Sequence, residues 1–145
     1  MEWSRTHTMN QQQLLARLEH RWSAFLQSHT DLPDAVMKNP GVVGDWSVRD
    51  VLTHVTTWEE EALKALPKIM AGGRPHRYGG VDRFNAEQSL LWRDLTVNEA
   101  REQLSKTHNW LLDFLRTVPE GHYATETRFR HRLRLDTYAH YPEHT

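Results

Sequence analysis

Three histidines carry the clearest chemistry in this chain. His140 and His144 are four residues apart in DTYAHYPEHT, so on a helix their imidazoles lie one above the other on a single face. Such a pair is a common way for a helix to offer two nitrogens to one metal ion. His54 follows Val51 by three residues and precedes Trp58 by four, which puts it on the apolar face of its own helix. If the two helices meet there, three neutral nitrogens converge and leave a divalent ion one open position, as in a catalytic site. The same spacings also fit a plainer reading. A single histidine on an apolar face is commonly a core imidazole bonded to a neighbour, and spacing alone does not bring two helices together.

Other groups stand near these three. Glu59 and Glu60 follow Trp58, and Glu59, one turn beyond Val55, is the candidate general base. The run of three glutamates at 59–61 otherwise reads as a solvated face. Tyr138 and Tyr141 flank the His pair as proton donors, pocket lining or ordinary packing residues. Trp46 and Trp58 are candidate pocket walls or core. His108, between Leu104 and Leu111 on one stripe, is either a partner to a metal ligand or a satisfied boundary histidine. Arg128, Arg130, Arg132 and Arg134 alternate, and an extended segment would set all four on one side. There Arg128 and Arg130 would suit a cofactor carboxylate, although pairing with acidic residues of another helix or subunit is the plainer explanation.

The elements that must position these residues are helical. Leu14, Leu18, Trp22 and Phe25 recur at spacings of three and four between Asn10 and His29, with Asn10 and Gln13 placed as a cap. HTDLPDAVMKNPGVVGDW breaks the pattern with two prolines and two glycines and reads as a loop. A second helix starts at Ser47, with Asp50 completing a capping box and Trp46 placed to staple onto Val51. Pro67 and Gly72-Gly73 are expected to close it. A short helical piece, DRFNAEQSLLW, precedes a new start at Thr96, capped with Glu99. Its stripe runs through Val97, Ala100, Leu104, Leu111, Phe114, Leu115 and Val118 to a stop at Pro119 and Gly121. Residues 127–135 alternate enough to read as extended, after which Asp136 would cap a short helix kinked at Pro142. The expected architecture is one all-α domain over residues 1–145, a four-helix bundle with a long crossover and a short last helix.

Bulk properties narrow the class. With 18 basic and 19 acidic residues the net charge is −1, so neither nucleic acid nor an acidic membrane is expected as a partner. No apolar run approaches the roughly 20 residues that span a bilayer. The segment MEWSRTHTMNQQQ lacks the charged-then-apolar layout of a signal peptide, and a cytoplasmic protein is the expectation. The absence of cysteine leaves a metal only His, Asp or Glu, and the chain has ten histidines.

GDWSVRDVLTHVTTWEEEAL, DRFNAE and DTYAHYPEHT together resemble the DinB/YfiT-like superfamily, and most closely its ClbS/DfsB branch. The resemblance covers nearly the whole chain. It implies a four-helix bundle with a divalent metal (Zn²⁺, Ni²⁺ or Fe²⁺) held by one histidine of the second helix and an HxxxH pair of the last. At the matching positions these are His54, His140 and His144. It further implies an enzyme acting on a small molecule: thiol S-transfer, thiol-dependent isomerisation, or hydrolysis of an electrophile, with a low-molecular-weight thiol as a second cofactor. The ClbS/DfsB likeness also admits a metal-free protective protein with a pocket of Trp58, Tyr138 and Tyr141. A non-catalytic bundle is a third reading. A homodimer is expected, since small bundles often share apolar faces.

Overall fold

The computed structural model describes residues 10–42, 44–123 and 127–145, so most of the segment MEWSRTHTMNQQQ lies outside the described residues. Each long helix begins at a polar cap. Helix α1, Gln11–Gln27, starts from Asn10, whose side chain accepts from the Gln13 amide while Gln13 accepts in return. Ser47 and Asp50 do the same for α3, Val48–Met70, and Thr96 and Glu99 for α5, Val97–Thr117. Each cap satisfies backbone donors that the first helical turn leaves open, worth about 1 kcal/mol apiece.

These three helices and the C-terminal segment enclose one core. Leu14, Leu18 and Phe25 of α1 meet Leu52, Val55 and Leu66 of α3 and Leu104, Leu111 and Leu115 of α5. Phe129, Leu133 and Tyr141 close the fourth side. Helix α4, Val81–Trp92, lies outside this core and buries no residue fully. It rests on α3, where the Trp58 indole N–H donates to Asn85 Oδ1 at 2.8 Å and the Trp58 and Phe84 rings meet edge to face. The described residues include no β-strand, and none of their helices is long and apolar enough to cross a membrane.

Five local expectations need correction. The loop after α1 contains a short helix, α2, Asp34–Met37, which buries Met37 completely. Pro67 does not end α3. Its ring is exposed, so the helix tolerates the missing donor and runs on to Met70, where Gly72, at φ 81°, turns the chain.

Residues 127–135 are not extended. Thr127 caps helix α6, Arg128–Asp136, by accepting from the Arg130 amide. The informative spacing was Phe129 to Leu133, four apart and both buried, whereas Leu135 is 51% exposed. Asp136 is the last residue of α6 and not a cap; its carboxylate accepts from Arg132 Nε at 2.6 Å. After a turn at Thr137 the chain ends in a 3₁₀ helix, Tyr141–His144. Pro142 therefore sits in the first turn, where a missing N–H costs nothing, and does not kink a helix interior.

Candidate metal centre

His54 projects from the middle of α3, while His140 precedes the terminal 3₁₀ helix and His144 ends it. The His140 Nε2 lies 3.1 Å from His54 Nε2 and 3.0 Å from His144 Nε2. One ring nitrogen from each residue lies within 4.8 Å of the other two. The expected convergence is present, although a turn and a 3₁₀ helix produce it rather than one face of an α-helix. Trp46 leans on His54 with ring centroids 4.9 Å apart.

The three rings are held neutral. Burial, reinforced by His144, pushes His54 down to about 4. Burial, with His144 and His54 adding to it, takes His140 down to about 3. Burial also lowers His144, against a small opposing pull from Glu143. Neutral imidazoles are the form that ligates metal.

The residues present fit a cation. His140 Nε2 faces two other Nε2 atoms, and a single ring hydrogen can serve only one of those contacts. The Nε2 atom has one in-plane site, a hydrogen or a lone pair, which cannot point at both neighbours at once, whereas a shared ion takes a lone pair from all three rings. A tetrahedral ion about 2.0–2.1 Å from each nitrogen needs nitrogens about 3.3 Å apart, close to the two distances from His140, while all three lie within 4.8 Å of one another. The Nδ1 atoms of His140 and His144 are buried and have no protein partner among the described residues. The outer hydrogen bonds that usually orient metal-bound histidines are thus not supplied at these two rings by protein.

Next to this centre is a buried polar network. Glu59, fully buried, accepts at Oε1 from the Tyr141 hydroxyl at 2.6 Å and lies 2.9 Å from His108 Nδ1. The other side of the His108 ring, Nε2, meets Glu19 Oε1 at 2.6 Å. Burial works against the His108 imidazolium, but Glu59 and Glu19 outweigh it and hold His108 above its ordinary value. Its ring stacks on Trp22 at 3.7 Å and 4°, a favourable place for a cation. Burial and the neighbouring Glu59 hold Tyr141 well above the usual phenol range, so it remains a donor. Tyr141 adjoins His140, and the network therefore ties the ligand-bearing segment to α3 and α5. Glu19 and Trp22 were not singled out from sequence. Both share the inward side of α1 with Leu18 and Phe25, but nothing in the spacing pairs them with a residue of α5.

The remaining expected site residues are spread over the molecule. Tyr138 is 7% exposed beneath the Arg17 guanidinium. Trp58 faces α4 and Tyr78. Arg128 donates to the Gly73 carbonyl at 2.9 Å, and Arg130, buried, reaches the Tyr123 carbonyl. Arg132 holds Asp136 and the Tyr78 hydroxyl. Because α6 is a helix, the four arginines point in different directions and make no common face. Beside His54 a narrow crevice of about 10 Å³ is lined by Trp46, Asn85, Ser89 and Trp92, of which Asn85, Ser89 and Trp92 come from α4.

An all-α bundle with a three-histidine centre defines the class, and comparison with known proteins gives the family. The chain belongs to the DinB superfamily, whose family model matches residues 17–145. Among solved structures it is similar to DfsB, described as a sibling lethal factor precursor, with TM-score 0.78, 11% identity, and coverage of 94% of this chain and 90% of that one. It is equally similar to the colibactin self-resistance protein ClbS in complex with double-stranded DNA: TM-score 0.78, 13% identity, coverage 93% and 90%. A Streptococcus pneumoniae protein follows at TM-score 0.77 and 13% identity, with coverage of 94% and 86%. No curated protein matches the chain.

The ClbS complex corrects one expectation. Near-neutral charge was taken to exclude nucleic acid, yet a protein of this fold has been solved on a DNA duplex. Net charge sums over all faces, whereas a duplex is bound by the charge of one.

Proposed function

We propose that this chain is a divalent-metal-dependent enzyme acting on a small molecule, with His54, His140 and His144 as the protein ligands. One observation carries the reading: three neutral ring nitrogens converge where no shared hydrogen can satisfy them all. A histidine-only donor set suits zinc, nickel or iron. Bound there, the ion would act as a Lewis acid and lower the pKa of a water or a small thiol, so that either reacts as an anion at neutral pH.

The chain's own residues do the positioning. Glu59 and Tyr141 are both fully buried and bonded to each other, so we assign them the task of fixing the His140–His144 segment rather than attacking substrate. Asn85 and Ser89 offer polar contacts in the crevice beside His54, between the walls of Trp46 and Trp92. Tyr138, the other tyrosine of the terminal segment, lies beneath the Arg17 guanidinium and is given no part in the reaction. Arg128 and Arg130 anchor backbone carbonyls.

The test is metal content by mass spectrometry on untagged protein, wild type and His140→Ala. About one ion per chain, lost in the variant, is the expected result. Near-zero metal in both after incubation with Zn²⁺ and Ni²⁺ would overturn the proposal. The likeness to ClbS, a self-resistance protein, favours one other reading: metal-free protection by binding or opening a reactive small molecule, although Trp58, Tyr138 and Tyr141 are too far dispersed to line one pocket for it. Activity that survives both a chelator and replacement of all three histidines by alanine would select it.

A further inference from the structure

A cleft of about 240 Å³ opens between α1 and α5, and the metal ligands take no part in its lining. Trp22 and Leu26 give it an apolar wall, while His29, Arg101, Ser105 and Asn109 supply polar groups. No acidic residue lines it.

Two of these residues have binding capacity that their contacts within the described residues leave unused. His29 is 5% exposed, and among the described residues neither of its ring nitrogens has a hydrogen-bond partner. Its ring sits edge-on to Phe25, 4.9 Å between centroids. An apolar side chain would satisfy that neighbour without the cost of an unpaired buried N–H. Arg101 is fixed by neutral acceptors, the Leu32 carbonyl and the Met37 sulfur. Its nearest carboxylate, Asp34, is 3.8 Å away and 59% exposed, so the guanidinium charge is only weakly countered. Burial, with Arg101 adding to it, takes His29 down to about 4, which leaves a neutral ring with one N–H to donate.

The geometry points to a binding site for a small organic carboxylate: Arg101 pairs with the carboxylate, Trp22 and Leu26 receive its apolar body, and the His29 ring, whose nitrogens are buried at the cleft wall, turns to donate its N–H. Arginine suits a planar carboxylate because its donors form a matching fork. Ser105 and Asn109 complete the polar rim. The inference is independent of the metal reading and is read out by binding.

The experiment is an NMR titration of the isotope-labelled full chain with benzoate, and with benzamide as a neutral compound of the same shape. Benzoate is expected to shift the Trp22 indole and His29 ring signals saturably, and benzamide to bind about tenfold more weakly. Arg101→Gln and His29→Leu are each expected to weaken benzoate by about tenfold. If Arg101→Gln loosens α2, which Arg101 tethers, His29→Leu still decides, because it places an apolar side chain against Phe25. Equal binding of benzamide, unchanged affinity in His29→Leu, shifts confined to the His54 region, or no saturable shift at Trp22 would each overturn the proposal.

Discussion

Tyr141 donates its hydroxyl hydrogen to Glu59 at 2.6 Å across 82 residues of sequence, and the residue before that tyrosine is His140. This single bond joins the middle of α3 to the segment that carries two of the three converging imidazoles. Replacing Tyr141 with Phe keeps the ring packing and removes the bond. The expected result is a loss of about 1.5–3 kcal/mol in urea unfolding, the range for a hydrogen bond to a charged group, together with weaker Zn²⁺ binding. Unchanged zinc affinity would show that the terminal segment is held without it.

Glu59→Gln tests the same network from its centre. It leaves His108 with Glu19 as its only carboxylate, so the His108 pKa, followed by NMR, is expected to fall. Removing one member of a buried charged set typically costs about 3–5 kcal/mol. A His108 titration identical in the variant would mean that Glu19 alone sustains the imidazolium.

The histidines give acid stability a defined sign. In metal-free protein His54 and His140 are pushed from 6.5 down to about 4 and about 3, so between those values and 6.5 the unfolded chain binds more protons than the folded one. Stability is therefore expected to fall as pH drops from 6.5 toward 3. His108 has the opposite sign. Its folded value is raised, so its contribution is complete below 6.5 and is lost as pH rises through that folded value. Chelator-treated protein melted across this range should lose stability on the acid side, and the His54→Leu variant should lose less.

Thr127→Ala tests the conformation of the arginine-rich segment. The Thr127 hydroxyl accepts from the Arg130 amide at 3.1 Å, and loss of an N-cap costs about 1 kcal/mol. Thermal unfolding with and without the hydroxyl measures it. No change would mean that α6 does not depend on its cap.

What was legible in the sequence follows from how local each signal is. Asn10, Ser47 and Thr96 announce α1, α3 and α5 because a capping box is complete within four residues. His140 and His144 could be paired because an i, i+4 spacing is also a local pattern, whereas His54, 86 residues from His140, joined them only through the family resemblance. The alternating arginines of 128–134 misled because alternation and an i, i+4 pair overlap over so short a run, and burial of Phe129 with Leu133 decides between them only once the bundle exists. Pro67 misled because its exposed position, which makes it tolerable, is a property of packing. Glu19 and Trp22 come from α1, 89 residues from His108 in the case of Glu19, and no pattern within α1 announces that distance.

Helix α4 buries nothing fully and leaves Leu90 and Leu91 63% and 76% exposed, yet it forms one wall of the crevice beside His54. That crevice has room for about a single water. Nothing larger than water therefore reaches His54 on this side while α4 is in place, and amide hydrogen exchange along residues 81–92 would measure how firmly the Trp58–Asn85 hydrogen bond holds that helix.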